Sequence, residues 1–246
     1  MLKILIVDDE ISAGNILKIL IKKYIPIETE IEYCDSAQKA LDILPEFQPS
    51  LIMLDIEMPV MNGFDFLSLA PHDTFDVIFT TAFDKYAIKA IRFSALDYLL
   101  KPIDVLDLKN AINSHIVKSR NFEQKSLVDN LLTNLKQPDQ KNFKLALSTS
   151  EGTFFFDPVD ILYCEADNNY TKFNLLNKKP LLVSKTLGDF DELLSEHQFI
   201  RIHKSYLVNI KYITKVNRDG TLTMSDIKEL SISKRKKEMV MGILKK

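Results

Sequence analysis

Acidic, hydroxyl and basic residues stand at the ends of four apolar runs in the first hundred residues. The runs and the residues that follow them are Ile4–Val7 with Asp8 and Asp9, Leu51–Leu54 with Asp55, Val77–Phe79 with Thr81, and Tyr98–Leu100 with Lys101. In a parallel α/β sheet all strand carboxyl ends lie at one edge, where open sheets bind ligands. Three carboxylates beside one lysine suit Mg²⁺, and Lys101 and Thr81 suit the oxygens of a phosphoryl group. The ordered set predicts a carboxylate site that accepts a phosphoryl group.

Asp55 is the predicted nucleophile, because it follows the central strand, where the other acids and Lys101 can surround it. A carboxylate that attacks phosphorus needs a divalent ion to offset the charge on both partners. We expect Asp8, Asp9 and Asp55 to hold that ion, together with a backbone carbonyl just after the nucleophile, that of Glu57. The alternative is a structural cluster of ion pairs around Lys101.

The first 118 residues or so alternate strand and helix patterns. The predicted strands are 3–7, 30–33, 51–54, 76–80 and 97–100, and the predicted helices are 16–24, 37–44, 64–69, 83–93 and one from Asp104. Ser36 offers an N-cap to the second helix, and Pro45 is expected to stop it. Five β/α units in this order predict an α/β doubly wound, five-stranded parallel sheet.

The stretch from about 119 to 142 is polar, yet an apolar stripe runs into it. The stripe consists of Ile112, Ile116, Val128, Leu131, Leu132 and Leu135. We predict that the last helix of the first domain continues, or restarts, toward Leu135 and that Pro138 closes it. Two interpretations remain open, a solvated linker helix and a short helix that forms a dimer. The predicted organisation is a first domain over 1–118, a partly helical linker over 119–142 and a second domain over 143–246.

Beyond residue 142 the pattern changes to short runs rich in Phe, Tyr, Ile, Thr and Val. These runs are 143–148, 153–156, 159–164, 170–175, 180–183, 206–210, 212–217, 221–224 and 228–232. Turn signals such as Asp157-Pro158 and Asp219-Gly220 separate them. Only 187–194 and 234–244 have a helical pattern. Many short strands at close spacing predict a mostly-β second domain.

The composition is that of an ordinary folded protein, with 46% apolar and 27% charged residues. No run of about 18 apolar residues occurs, so we expect no transmembrane helix and no membrane partner. The first residues are too few and too acidic for a signal peptide. Cys34 and Cys164 fall in different domains without metal-ligand spacing, which fits two free thiols in a reducing cytoplasm.

The net charge of −2 combines two halves of opposite sign. Residues 1–120 carry 12 Lys+Arg and 18 Asp+Glu, a net −6, whereas residues 121–246 carry 20 and 16, a net +4. This excess permits a nucleic-acid partner without requiring one.

Three polar segments of the second half could face such a partner. They are the tip 168–172, the loop His203–Ser205 and the start of the last helix, Ser233–Lys237. A helix N-terminus prefers anions, so four successive cations there favour a phosphate partner. The alternative is a solvated basic face. Neither helix beyond residue 142 forms a helix-turn-helix with a neighbour.

Residues 1–118 resemble the receiver domain of bacterial response regulators. The matching motifs are Val7–Glu10, Leu54–Gly63, Thr80–Ala82 and Asp97–Pro102. The resemblance implies the flavodoxin-like receiver fold and a phosphoryl group that Asp55 receives from the phosphohistidine of a sensor histidine kinase. It also implies Mg²⁺ held by Asp8 and Asp9.

The same resemblance assigns further roles around the acceptor. Thr81 and Tyr98 would be coupled switch residues, Lys101 would contact the phosphoryl group, and the peptide before Pro102 would be cis. Asn62 departs from the commoner Asp of that loop, and no catalytic role rests on it.

Residues 143–246 resemble the LytTR DNA-binding domain of the LytR/AlgR regulators. The matching segments are Ile161–Ala166, Asn169–Thr171, Phe199–Asn209 and Leu230–Arg235. The resemblance implies small stacked β-sheets and DNA contacts made by loops. The implied DNA-binding residues are Asn169, Tyr170, Thr171, Arg201, His203, Lys204, Lys234 and Arg235. The family usually has Arg where Lys234 stands, and Lys lacks the planar fork of Arg for guanine. His203 either touches DNA or packs beneath its loop.

Together these features predict a two-component response regulator that controls transcription and is not an enzyme. Phosphorylation of Asp55 would add roughly two negative charges at the sheet edge. Thr81 would then move to the phosphoryl group and Tyr98 would turn inward. The face carrying the fourth helix, fifth strand and fifth helix would favour a homodimer, which holds two β domains on repeated sites in double-stranded promoter DNA.

Two other functions compete with this prediction. One is a phosphorylation-controlled protein-interaction module with weak DNA binding, which the modest positive charge of the second half allows. The other is a phosphatase that uses Asp8 and Asp9. No Asp-x-Asp arrangement or other obvious second acid/base group follows the strand, which disfavours the phosphatase.

Overall fold

The chain divides into two compact units. In this computed structural model they comprise Met1–Lys136 and Gln137–Lys246. The structure describes residues 1–82, 91–94, 96–117, 123–137, 142–149, 151–217 and 219–244. The division lies inside the segment that the sequence assigned to a linker, because the helix that precedes it belongs to the first unit.

A five-stranded parallel sheet forms the centre of the first unit, as the sequence predicted. Its strands are β1 (Leu2–Val7), β2 (Thr29–Cys34), β3 (Leu51–Asp55), β4 (Asp76–Thr81) and β5 (Asp97–Leu100). Their order is β2-β1-β3-β4-β5, and every neighbouring pair is parallel. All five residues of the central strand β3 are buried. Asp55 therefore ends the middle strand at the carboxyl edge.

Helices cover this sheet and supply the rest of its core. They are α1 (Ile11–Tyr24), α2 (Ala37–Phe47), α3 (Gly63–Leu69), α4 (described over 91–93), α5 (Val105–Val117) and α6 (Glu123–Leu135). The remainder of the predicted fourth helix, 83–90, lies outside the described residues. Side chains such as Ile4, Leu17, Met53 and Ile112 form one buried cluster that joins β1 and β3 to α1 and α5. Removing these apolar faces from water stabilises the unit.

The predicted end of α2 at Pro45 is wrong. The helix continues to Phe47, with Pro45 in its last turns. Leu44 and Phe47 are both buried, and Gln48, at φ 49°, closes the helix by donating its N–H to the Leu44 carbonyl at 3.0 Å. Apolar burial at the helix end therefore outweighs the single backbone hydrogen bond that proline removes.

α6 packs on the first unit beside α3. The buried residues of its apolar face are Leu127, Val128 and Leu131. The side-chain amides of Asn130 and Asn134 donate to the hydroxyl of Ser94 at 3.3 and 3.4 Å, and Asp129 lies 3.2 Å from Nε2 of His72. The sequence left open whether this apolar stripe belongs to a solvated linker helix or to a helix that forms a dimer. Part of the stripe is buried within the chain itself.

The second unit is mostly β, as predicted. Its strands are β6 (Leu145–Thr149), β7 (Gly152–Phe156), β8 (Ile161–Asp167), β9 (Tyr170–Leu175), β10 (Leu181–Val183), β11 (Phe199–His203), β12 (Tyr206–Asn209), β13 (Ile213–Val216), β14 (Thr221–Met224) and β15 (Glu229–Ser231). They form an antiparallel sheet of order β10-β9-β8-β12-β11, a sheet of order β13-β14-β15 and the hairpin β6-β7. Tyr163 and Ile202 of the larger sheet share a core with Leu222 and Met224 of the smaller one.

Two α-helices are described in the second unit, α7 (Leu187–Leu194) and α8 (Lys237–Leu244). The first matches its prediction. The second begins later than expected, because residues 234–236 form a 3₁₀ turn in which Lys236 N–H bonds the Ser233 carbonyl at 2.9 Å. Throughout the described part of the chain, no helix is both long and apolar enough to cross a membrane.

Candidate functional site

Asp8, Asp55 and Lys101 meet at the carboxyl edge of the parallel sheet. Asp8 follows β1, Asp55 ends β3 and Lys101 follows β5. The Nζ atom of Lys101 lies 2.9 Å from Oδ2 of Asp8 and 2.6 Å from Oδ2 of Asp55. The two acids are only 1% and 4% exposed. Since a buried carboxylate is costly unless it is paired, the ammonium group is what offsets their charge.

Backbone N–H groups fix the other oxygen of each buried carboxylate. The N–H of Glu10 donates to Oδ1 of Asp8 at 3.0 Å, and the N–H of Glu57 donates to Oδ1 of Asp55 at 3.2 Å. Each carboxylate thus accepts a hydrogen bond at Oδ1 from the backbone N–H two residues ahead, and its Oδ2 lies against Lys101. This double attachment orients Asp55, which suits a nucleophile that must meet phosphorus from a defined direction.

Burial and charge act in opposite directions on the pair formed by Asp55 and Lys101. Burial raises the pKa of Asp55, the hydrogen bond and charge of Lys101 oppose that rise, and Asp8 adds to it. Burial would lower the pKa of Lys101, but its hydrogen bonds to Asp55 and Asp8 outweigh burial and leave this pKa raised. Lys101 is therefore a cation at neutral pH.

Three carboxylates form an oxygen-rich cluster around this edge. One carboxylate oxygen each from Asp8, Asp9 and Asp55 lies within 4.8 Å of the other two. Asp9 is exposed, whereas the other two acids are buried. Carboxylate oxygens are ligands that Mg²⁺ prefers, and one lysine cannot balance three acids, so the donor set fits that ion. Glu57, whose carbonyl the sequence places among the ligands, is exposed directly beyond β3.

Thr81 ends β4 beside the acids. Its hydroxyl is buried and finds no hydrogen-bond partner among the residues that the structure describes. Its carbonyl accepts the N–H of Lys101 at 2.7 Å, which ties the end of β4 to the lysine. Tyr98 of β5 is half-buried and pairs with Phe79 of β4. The peptide before Pro102 is cis, as the resemblance implied.

The loop after Asp55 requires glycine at position 63. The N–H of Gly63 donates to the Ile56 carbonyl at 3.0 Å, and a Cβ atom on Gly63 would lie only 2.4 Å from the carbonyl oxygen of Asp55. Asn62 begins α3 with a capping box that includes Asp65. The unusual Asn62 therefore has a structural role, since its side chain satisfies N–H groups at the helix start.

Tyr33 supports the site, and sequence reasoning missed it. Its hydroxyl donates to the carbonyl of Asp8 at 2.6 Å. Its ring fills the space beside Gly14, where a Cβ atom would come within 2.2 Å of the ring. Burial, with Asp8 next, raises the pKa of Tyr33, so the hydroxyl remains a donor. The feature of the sequence that could have indicated this role is a tyrosine near the end of β2. Tyr33 pairs there with Ile6 of β1, shortly before Asp8.

Four turns of the second unit lie together at one end of its larger sheet. They are 167–170 between β8 and β9, 184–186 after β10, 203–206 between β11 and β12, and 233–235 before α8. The strand pairs that bring the first three together are Asp167 with Tyr170, Thr171 with Val183, and Glu165 with Tyr206. The fourth joins them because Ser233 donates its N–H to the Ile202 carbonyl at 3.0 Å. We call these four turns the basic end.

Exposed polar and cationic side chains cover the basic end. Five of the predicted DNA-binding residues are exposed, namely Asn169, Tyr170, Lys204, Lys234 and Arg235. His203 is half-buried, and its Nδ1 accepts the N–H of Ser205 at 3.2 Å. The ring of His203 thus supports its own turn.

Thr171 is turned inward, contrary to the expectation that it contacts DNA. It is fully buried, and its hydroxyl donates to the carbonyl of Lys185 at 2.8 Å. Its role is therefore to hold the turn that carries Lys185. Lys185 is itself exposed at the basic end and was missed from the sequence, because only the pairing of β10 with β9 brings it there.

Arg201 is also directed at the backbone and not at solvent. It donates from Nε to the His203 carbonyl at 2.7 Å and from Nη2 to the Lys204 carbonyl. From Nη1 it donates to the Leu187 carbonyl at 2.9 Å. Burial lowers the pKa of Arg201, and Asp191, 3.8 Å away, opposes this. The resemblance implied a DNA contact for Arg201, whereas in the structure all three of its nitrogens donate to carbonyl groups.

Each of the two units matches a known protein family. The response regulator receiver domain matches residues 4–113, and the LytTr DNA-binding domain matches residues 151–245. Sensory transduction protein LytT of Bacillus subtilis (strain 168) is 30% identical over 241 residues, which cover 95% of each chain. The chain belongs to the LytTR-type response regulators.

Two further proteins are similar to this regulator. Transcriptional regulatory protein BtsR of Escherichia coli (strain K12) is 28% identical over 218 residues, which cover 88% of this chain and 86% of BtsR. A solved response regulator receiver domain protein from Clostridium thermocellum is 32% identical, covers 47% of this chain and 94% of its own, and has a TM-score of 0.40. In this LytTR-type regulator the acidic edge lies in the receiver domain and the basic end in the LytTR domain.

Proposed function

We propose that the chain regulates transcription under the control of phosphorylation at Asp55. The observation that supports this best is the meeting of Asp8, Asp55 and Lys101 at one sheet edge, with one ammonium within hydrogen-bond distance of both carboxylates. The proposed donor is the phosphohistidine of a sensor histidine kinase, which receiver-domain membership favours.

In the proposed transfer, a carboxylate oxygen of Asp55 forms the new P–O bond. The P–N bond of the donor breaks, and its electron pair stays on the imidazole nitrogen. Asp8, Asp9, Asp55 and the carbonyl of Glu57 would hold Mg²⁺, which offsets negative charge on the carboxylate and on the phosphoryl oxygens.

Lys101 and Thr81 are proposed to receive the transferred group. Lys101 already lies against the attacking carboxylate, so its ammonium can pair with a phosphoryl oxygen after transfer. The hydroxyl of Thr81, buried without a partner among the described residues, can donate to another oxygen. Its movement would leave room for Tyr98 to turn inward.

Asp55→Asn tests the acceptor. The amide keeps the shape of the side chain but cannot act as a carboxylate nucleophile, so labelling by acetyl phosphate with Mg²⁺ should be abolished. The fold and the basal affinity for DNA should persist. Asp42→Asn changes an exposed acid of the same domain and should be labelled like the wild type. Undiminished, acid-stable labelling of Asp55→Asn would reject the assignment.

A homodimer is the proposed output of the receiver domain. Leu100 of β5 and Leu106 and Val117 of α5 are 44%, 65% and 83% exposed. Exposed apolar side chains on neighbouring elements support a contact surface between two copies. Sedimentation before and after treatment with acetyl phosphate measures whether the dimer forms.

The basic end is the proposed DNA-binding surface. Its exposed cations include Lys185, Lys204, Lys234 and Arg235. They lie on turns, so contact with the phosphate backbone needs no recognition helix. A dimer would hold two such ends on repeated sites in promoter DNA and raise their effective concentration.

Salt dependence separates DNA binding from the protein-interaction alternative. Binding of random duplex DNA through phosphate contacts should weaken steeply between 50 and 200 mM salt. A weak affinity that responds little to salt would instead favour a LytTR domain that binds a protein.

A further inference from the structure

We propose that Arg201 is a positioning residue for DNA binding, which holds the turn that presents Lys204 and does not contact DNA itself. This inference rests on the proposed function of the basic end. It assigns to Arg201 a role that acts through another residue, in place of the direct contact that the family resemblance implied.

The strand ladder is interrupted at the turn that Arg201 contacts. The pairing of β11 with β12 shifts register between Arg201 and His203, so that His203 stands opposite Tyr206. Such irregularities take backbone groups out of the regular ladder, and their carbonyl groups can then accept hydrogen bonds from a side chain. Arg201 supplies donors to the successive carbonyls of His203 and Lys204.

Arg201 also connects this turn to a second element. Its Nη1 reaches the carbonyl of Leu187, the first residue of α7. One planar guanidinium therefore bonds the β11–β12 turn on one side and the α7 start on the other. Lysine carries the same charge but lacks the planar fork, so it cannot satisfy the three carbonyls together.

Burial separates Arg201 from the cations around it. Its side chain is 15% exposed, whereas Lys204 is exposed. Three of the five N–H groups of the guanidinium already donate to carbonyls and the side chain is largely buried, so it cannot turn toward a phosphate without breaking those bonds. The charge that can meet DNA in this turn is therefore that of Lys204.

The turn has a second attachment that does not involve Arg201. The N–H of Ala166 on β8 donates to the carbonyl of Ser205 at 2.9 Å. Loss of the arginine contacts should therefore loosen the turn without unfolding the sheet. A loosened turn must be ordered on binding, and that conformational cost weakens DNA binding.

A double-mutant cycle on the full chain tests the inference. The proteins are wild type, Arg201→Lys, Lys204→Ala and the double variant, each titrated with a duplex selected for wild-type binding. Lys204→Ala should weaken binding about tenfold, and Arg201→Lys should weaken it by a similar factor although the charge is retained. In the Lys204→Ala background, Arg201→Lys should have almost no further effect, because its influence passes through Lys204. Lys211→Ala, an exposed cation beyond the other end of β12, is the matched control and should bind like the wild type.

Hydrogen exchange adds a readout that general destabilisation would not give. In Arg201→Lys, exchange should accelerate in peptides covering 202–206 and in those covering the start of α7, and it should remain unchanged elsewhere in the LytTR domain. Arg201→Gln repeats the experiment without the charge and should behave in the same way. If both variants lose the domain fold, the role of Arg201 is structural and the inference is wrong.

The remaining outcomes distinguish the inference from the function on which it rests. Independent factors that multiply in the double variant, or wild-type affinity in Arg201→Lys, would overturn positioning through Lys204. Wild-type affinity in Lys204→Ala would overturn it too, because the turn would then present no contact. A wild-type chain that binds no duplex would instead refute the DNA-binding function itself.

Discussion

The receiver domain and the LytTR domain place their charges in opposite ways. In the receiver domain the carboxylates of Asp8 and Asp55 are buried, and Lys101 bridges them. In the LytTR domain the cations that would meet a partner are exposed. The side chains of Thr171, which is buried, and Arg201, which is largely buried, hold the backbone beneath them. Buried polar groups would take part in the proposed reaction in the receiver domain, whereas in the LytTR domain they hold the backbone of an exposed surface.

The difference fits the sizes of the two proposed partners, a phosphoryl group and a DNA duplex. A phosphoryl group is small and can be surrounded, so desolvated charges held in fixed positions stabilise its transfer. A DNA duplex is long and cannot enter a cavity, so cations must stand in solvent where counterions can be released. The turns that carry these cations then determine how accurately the cations are positioned.

Lys101→Ala should have the largest effect, since it leaves two buried carboxylates without their cation. Without Mg²⁺ we expect the receiver domain to lose up to about 3 kcal/mol of stability. Saturating Mg²⁺ should make this loss of stability smaller. Some phosphorylation should remain, but it should no longer promote dimerisation, because the cation links the phosphoryl group to β5. Thermal unfolding with and without Mg²⁺, and sedimentation with acetyl phosphate, measure the two effects.

The pH dependence and a control sharpen this prediction. The pKa of Lys101 is raised above its usual 10.5, so its stabilisation is complete below that pH and is lost as the pH rises through the raised value. The difference between wild type and Lys101→Ala should therefore shrink in strong alkali. Lys39→Ala, which removes the exposed ion pair with Asp35, should leave the unfolding temperature unchanged. Normal phosphorylation-dependent dimerisation of Lys101→Ala would exclude this lysine from the switch.

Lys234→Ala should have an intermediate effect that is confined to binding. If Lys234 contacts a base, affinity for the selected duplex should fall by roughly 1–3 kcal/mol. If it contacts a phosphate, affinity should fall similarly for all sequences and the salt slope should decrease by about one unit. Because the side chain is exposed, thermal stability should hardly change.

Gel-shift titration at two salt concentrations on selected and random duplexes decides between these cases. Lys211→Ala serves as the control for loss of an exposed cation away from the basic end. An unchanged affinity in Lys234→Ala would remove the 233–235 turn from the proposed surface. A large loss of stability would show that Lys234 resembles the buried charges of the receiver domain.

Thr171→Val should have the smallest effect. The substitution removes one buried hydroxyl donor to the Lys185 carbonyl at similar volume, which should lower the stability of the LytTR domain by about 1 kcal/mol. DNA affinity should fall slightly, because the turn of Lys185 loses an attachment. Thr171→Ser keeps the hydroxyl and should recover most of both losses. Denaturant unfolding and gel-shift titration provide the measurements, and a Ser variant as weak as Val would assign the effect to packing.

Local sequence patterns predicted most of the receiver domain. The run 51–54 is apolar throughout because both faces of β3 are covered, and a residue directly after such a run must lie at the sheet edge. The same rule, applied to three strands of one sheet, predicts that Asp8, Asp55 and Lys101 lie together. Local patterns did not predict the end of α2. The helix continues past Pro45 because Phe47 is buried, and that burial depends on the sheet beneath the helix.

By itself, the sequence determined which residue types stand at the strand ends and where cations cluster, because these follow from the order of the chain. Only the tertiary structure decided that Tyr33 bonds the Asp8 carbonyl, that α6 packs on the receiver domain, and that Thr171 and Arg201 face inward. Each of these depends on strand register or helix packing across many intervening residues. The face to which a strand presents a side chain changes with one step of register, and a local pattern of polar residues does not specify that step.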